Sequence, residues 1–233
     1  METKKTHIQT RIIKSCHGYN SKYKIIMDDG RYNFAIVPYN SPTGSLYIKL
    51  PGIPAARLFY HLQDKKRWNI EYEDEFSINS GNITGRIHTK IKKLFLFEHR
   101  LTQIQYEKDQ YHLYTVYSSN KTVHYCLYQC QEEEEILCGL MEKNSHACGE
   151  DEHYIMETDN IYHSLFMTIA LLQQDVHSNH DQKNIFSFSR TISKDICGKY
   201  NPDYKECLSL ETIQNPPANL SDIQLAEQIT DSP

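Results

Sequence analysis

The chain has 233 residues, 39% hydrophobic and 24% charged, with a net charge of −5. That length is enough for one large domain with a buried core. The acidic balance argues against broad nucleic-acid binding, which needs a basic surface, so no nucleic-acid partner is expected.

The opening stretch, "METKKTHIQTRIIKSC", has no apolar run of signal-peptide length, and a cytoplasmic protein is expected. Seven cysteines (Cys16, Cys126, Cys130, Cys138, Cys148, Cys197 and Cys207) form an odd set without regular spacing, as free thiols in a reducing compartment would. From Ile8 to about Tyr154 the apolar pattern has period two, in short runs broken by turn residues. "YKIIMDDGRYNFAIVPY" reads as strand, Asp28-Asp29-Gly30 turn, strand, because both central turn residues must tolerate positive φ. Ser45–Leu50 adds a strand fenced by proline and glycine, whereas Pro54–Asp64 predicts a helical turn or two with Leu58, Phe59 and Leu62 on one side.

"RWNIEY" alternates as a half-buried strand, followed by candidates at Phe76–Asn79, Ile83–Thr89, Leu94–His99, Ile104–Glu107, His112–Tyr117, Thr122–Gln131, Ile136–Met141 and His153–Glu157. Short hairpin-like connections between about twelve strands, without helices between them, predict an antiparallel sandwich or closed barrel.

The texture then changes at "NIYHSLFMTIALLQ". Thr158, Asp159 and Asn160 are N-cap residues. Projected at 100° per residue, Ile161, Leu165, Leu172 and Val176 share one face, and Tyr162, Phe166, Ile169, Met167, Ala170 and Leu171 extend the apolar surface most of the way round. A bilayer span needs about 20 apolar residues, and this stretch is too short for one. The pattern predicts a hydrophobic helix over about Asn160–Val176, surrounded by the sheet that precedes it. Beyond it come a polar loop, a strand expected at Ile185–Ser189, a short helix ending near Gly198, and a Pro- and Gln-rich tail from Glu211.

The strand-rich "YHLYTVYSSNKTVHYCLYQC" followed by "EHYIMETDNIYHSLFMTIALLQQD" resembles the ending of bacterial LURP-one-related sequences, in the tubby C-terminal-like superfamily that also includes phospholipid scramblases. The resemblance covers roughly residues 8–180 and rests on the order and texture of elements. It implies a mainly β fold, an approximately twelve-stranded antiparallel closed barrel around a hydrophobic helix. The expected organisation is a barrel domain over 1–180, an extension packed on it over 181–210 and a flexible tail over 211–233. Calcium-activated scramblases carry a single-pass anchor after the barrel. A polar tail stands there in this chain, which argues against scramblase-type lipid transport.

Tubby proteins bind phosphoinositides through basic residues, so the basic run of "RIHTKIKKLFLFEHR" becomes a candidate anionic-headgroup site: Arg86, Lys90, Lys92, Lys93 and Arg100. The plainer reading of these lysines is a solvated turn between two strands. "EEEE" at 132–135 lacks the spaced ligands of a calcium loop and reads as a solvated hairpin tip. Cys126 and Cys130 would lie about 13 Å apart along an extended strand, too far to share one metal ion unless the strand breaks; the later spacing of "SHACGEDEH", with Cys138 before it, is looser but compatible with a metal. No metal, no cofactor and no catalytic residue is expected, and the motifs of hydrolases, P-loop proteins and zincins are missing. The leading expectation is a non-enzymatic binding or regulatory barrel, peripheral at an anionic phospholipid membrane. The alternative is an intracellular scaffold that binds another protein through the C-terminal segment; a metal- or thiol-dependent enzyme has least support.

Overall fold

The computed structural model describes residues 7–179, apart from 18–19, 39–40, 63–68, 80–81, 95–96, 118–122, 133 and 145–150, together with Lys199. Twelve strands follow one another: β1 Ile8–His17, β2 Asn20–Met27, β3 Tyr32–Val37, β4 Thr43–Ile48, β5 Ala56–His61, β6 Asn69–Ile78, β7 Gly85–Leu94, β8 Phe97–Tyr106, β9 Asp109–Tyr117, β10 Val123–Gln131, β11 Glu134–Asn144 and β12 Glu152–Thr158. One helix, α1, spans Ile161–Asn179. All strand pairs are antiparallel, in the order β3-β2-β1-β12-β11-β10-β9-β8-β7-β6-β5-β4.

The result is a nearly closed barrel. β1 pairs with β12, so the ends of the strand-rich segment meet, but β3 and β4 stand at the two ends of the ladder order. The expected twelve-stranded antiparallel barrel is present, closed but for this seam. Among the described residues no ladder joins β3 to β4, which are linked through a connection bearing Pro38 and Pro42, residues that cannot donate backbone hydrogen bonds.

Strands β2 to β5 alternate in burial with period two, whereas β10 is buried on both faces from His124 to Tyr128. Leu46 and Ile48 of β4 point inward while Ser45 and Tyr47 point outward. The helix expected within Pro54–Asp64 is instead β5. There Ala56, Leu58 and Tyr60 are buried in alternation, so Leu58 and Phe59 occupy opposite faces. The Asp28-Asp29-Gly30 hairpin is present, with Gly30 at φ 79°. Several predicted strands fuse: β6 joins the "RWNIEY" and Phe76–Asn79 candidates, and β7 runs through the lysines that were expected in a turn. The elements and domain bounds expected after residue 180 lie outside the described residues except at Lys199.

The helix begins one residue later than expected because Asn160 is its cap, its Oδ1 accepting the Tyr162 N–H at 2.8 Å. From His163 to His177 every side chain is buried. Phe166 packs against Phe76 of β6, Tyr106 of β8 and Tyr111 of β9, with ring centroids 5.0–6.2 Å away. The following polar residues are bonded to the wall. The Gln173 amide donates to Asp74 of β6 and to the Ile87 carbonyl of β7, Arg100 of β8 donates to Gln174, and Lys14 of β1 pairs with Asp175 at 2.6 Å. No helix among the described residues is long and apolar enough to cross a membrane.

Candidate functional site

The predicted basic run does not form one cationic patch. Arg86, Lys90 and Lys92 project outward from β7, and the neighbouring β6 presents Glu71, Glu73 and Glu75 on the same face. Lys90 stands directly across from Glu71 with their charged atoms 3.2 Å apart, His88 reaches the same carboxylate at 2.8 Å, and Arg86 lies 3.8 Å from Glu75. Lys90, donating a hydrogen bond, holds the Glu71 carboxyl below its ordinary range. Opposite charges directly across a ladder stabilise the sheet and cancel each other's field at a distance. Arg100 is spent on the helix through Gln174. Lys93 occupies the same strand as the others, and its side chain is outside the described residues.

A second basic surface escaped the sequence reading. Strands β1 to β5 contain no aspartate or glutamate, and between residues 7 and 62 the only acids are Asp28 and Asp29 in one turn. Arg11 of β1, Lys22 and Lys24 of β2, and Arg57 of β5 all face outward. Among them stand large apolar side chains in open solvent: Tyr32 (54% exposed), Phe34 (44%) and Ile36 (57%) in succession along β3, and Tyr47 (55%) on β4.

The register explains how the two kinds of residue interleave. Lys24 lies directly across from Phe34, and Lys22 from Ile36. Each lysine leans diagonally, Lys22 to 4.2 Å from the Phe34 ring centre and Lys24 to 4.6 Å from that of Tyr32. Such cation–π contacts are worth about 0.5–1 kcal/mol at exposed sites. Tyr32 and Phe34 meet edge to face at 5.5 Å, so the rings are fixed relative to each other.

At one end of the seam between β3 and β4, a wide-open cleft of about 560 Å³ separates the β2–β3 turn from the β4–β5 connection. It is lined by Asp29, Gly30, Arg31 and Tyr32 on one side and by Lys49 and Gly52 on the other. Arg31 is paired with Asp29 at 2.5 Å, leaving Lys49 as the exposed cation of the opposite wall. The signal that could have located this surface was present in the chain as a composition shift, an acid-poor first quarter within an acidic whole.

The interior holds a different polar cluster. Asp74 lies in the inward register of β6 and is fully buried, and it accepts from the His61 backbone N–H, the Gln173 amide and His177 Nε2 at 2.8–3.1 Å. The His177 ring stacks on Tyr72 at 3.9 Å. Nearby, Glu152 accepts from Lys143 and from the Tyr154 hydroxyl. Burial pushes the Tyr154 phenol far above its ordinary value, reinforced by the charge of Glu152. Asp74 thereby fastens α1 to β6 through Gln173 and His177. As candidate metal donors, His112, Cys130 and Glu135 come together on the outer face of β9–β11. No protein-family model, curated protein or solved structure matches the chain.

Proposed function

We propose that the protein binds anionic membrane surfaces peripherally through the outer face of β1–β5, as a recognition module without chemistry of its own. One observation carries the reading: a carboxylate-free strand face displays Tyr32, Phe34, Ile36 and Tyr47 among Arg11, Lys22, Lys24 and Arg57. Contiguous exposed apolar side chains mark contact surfaces. Apolar side chains gain by entering the acyl boundary, tyrosine is at home at headgroup level, and each surface lysine adds about 1 kcal/mol of attraction to acidic lipid. In the cleft beside this face, the exposed Lys49 suits a headgroup phosphate. In this reading α1 fills the barrel and keeps the face rigid. Its support is the burial of residues 163–177 and the bonds of α1 to β1, β6, β7 and β8.

Co-sedimentation with vesicles of acidic or zwitterionic phospholipid tests the proposal. Binding to the acidic vesicles alone is expected, weakening as salt shortens the screening length from about 10 Å at 0.1 M to about 3 Å at 1 M. Equal and negligible binding to both overturns it. Concentration-dependent dimers without lipid binding would assign the face to a second copy instead, since β3 also offers an unpaired strand edge.

A further inference from the structure

We infer that His112, Cys130 and Glu135 form a zinc-binding site on the outer face of β9–β11, away from the membrane-binding face. The three residues offer an imidazole nitrogen, a thiol sulfur and a carboxylate oxygen within 4.8 Å of one another. Sheet register brings them together: Cys130 stands directly across from Glu135 in the β10–β11 ladder, and His112 lies two positions along β9 from Cys130's partner Gln110. Nitrogen, sulfur and oxygen donors from three adjacent strands match the preferences of Zn²⁺, and three protein ligands leave a fourth position for water or an incoming group.

The surroundings are those of a held site. His112 Nε2 faces the amide nitrogens of Gln103 at 3.3 Å and Gln110 at 3.2 Å, which donate to it, so Nδ1 carries the proton and donates to Glu135 at 2.5 Å. The ring is thereby oriented with Nδ1 toward the carboxylate. Glu135 also accepts from the Tyr114 hydroxyl at 2.8 Å and from Lys199 at 2.5 Å. Although burial works to raise it, these donors hold the Glu135 carboxyl below its ordinary range. Lys199 rests between the rings of Tyr114 and Tyr128, 5.1 and 5.2 Å from their centres, and its backbone carbonyl accepts from the Tyr128 hydroxyl. A cation already sits where positive charge is favoured. All three ligands are partly exposed, so an ion has a way in.

Burial raises the Cys130 thiol, so the thiol is protonated before metal arrives. Binding therefore releases one proton, from Cys130 Sγ; the His112 proton moves from Nδ1 to Nε2, where the side-chain oxygen of Gln103 or Gln110 can accept it after an amide flip, and Zn²⁺ bonds to Sγ, Nδ1 and a Glu135 oxygen. The Lys199 ammonium competes with the metal for Glu135. Zinc binding at this site therefore weakens the hold of Glu135 on Lys199.

The test is titration of the full chain with Zn²⁺ under reducing conditions, followed by elemental analysis and by Co²⁺ substitution. One equivalent per chain is expected, with a thiolate-to-cobalt charge-transfer band and proton release measured in weakly buffered solution. Cys130→Ser and His112→Asn should each weaken binding by at least about tenfold, and Cys130→Ser alone should abolish that band, with unchanged circular dichroism in both. Lys199→Met should tighten it. Absence of stoichiometric zinc in the unaltered chain overturns the inference. So does binding that Cys130→Ser and His112→Asn leave undiminished, which would place the ion elsewhere. A cobalt complex without the thiolate band would exclude Cys130 even where a variant fails to fold.

Discussion

Replacing Phe166 by alanine probes whether α1 is the core of the barrel. Phe166 is 1% exposed, and its ring touches Tyr111, Tyr106 and Phe76 at centroid separations of 5.0, 5.3 and 6.2 Å. Buried Phe→Ala substitutions cost about 3–5 kcal/mol, the larger values where the site cannot collapse. Here the neighbours come from β9, β8 and β6, each held by ladders on both sides. Inward collapse is resisted, and a loss of about 4 kcal/mol is expected, equivalent to about 8–16 °C in Tm for a domain of this size. Urea unfolding followed by far-UV circular dichroism measures it, with the m-value checked for constancy. Phe166→Leu, which keeps most of the volume, should lose about 1 kcal/mol, and Phe166→Asp should prevent folding by burying a charge. A loss below about 1 kcal/mol for the alanine variant would mean a helix lying on the surface, where substitutions stay within about 0.5 kcal/mol.

Asp74→Ala leaves the His61 N–H, the Gln173 amide and His177 without their shared acceptor, and should destabilise by about 3 kcal/mol in the same assay. Gly85→Ala sets a Cβ into the Phe76 ring and 2.6 Å from the Gln105 carbonyl oxygen, for an expected cost of about 1–3 kcal/mol in Tm-derived stability. Burial works to raise the Glu152 carboxyl, but the Lys143 hydrogen bond and the charge of Lys14 outweigh it and hold the group below its ordinary 4.5. Its stabilising contribution is thus complete above that unfolded value and disappears as pH falls through the lower folded one; Glu152→Gln should flatten the acid limb of a stability-versus-pH curve below about pH 4.5. Burial pushes the Cys126 thiol up to about 12, so in the native protein a thiol reagent should modify the partly exposed Cys130 well before Cys126.

The barrel was legible because period two is a local property. Ala56, Leu58 and Tyr60 carry it as plainly as any strand, but "PAARLFYHLQD" also places Leu58 and Leu62 four apart, and a short apolar run satisfies both periods. Only pairing of β5 with β4 and β6 decides between them. The helix and its burial were readable from its apolar circumference, whereas the inward Asp74 was not, since its alternation with Ile70, Tyr72 and Phe76 becomes visible only once β6 is one strand. The same limit applies to function. The Lys90 run looked cationic along the chain, yet its partners on β6 are some twenty residues away in sequence and appear only in the register. Glu135 looked like part of a solvated tip and instead faces His112 across two ladders.

The most direct test of the membrane-surface proposal compares three pairs of substitutions by vesicle partition: Phe34→Ser with Ile36→Ser, Lys22→Glu with Lys24→Glu, and Lys90→Glu with Lys92→Glu. At about 1 kcal/mol per lysine, losing two lysines of the β1–β5 face amounts to about thirtyfold, and reversing their charge should exceed that. Losing the two apolar side chains should weaken partition by at least about tenfold. The β7 pair lies outside the β1–β5 face, with Lys90 already paired to Glu71, and should leave binding within about twofold of the unaltered protein. Loss of binding in the β7 variant, with the β2 and β3 variants unaffected, would contradict the account and return the site to the lysine run.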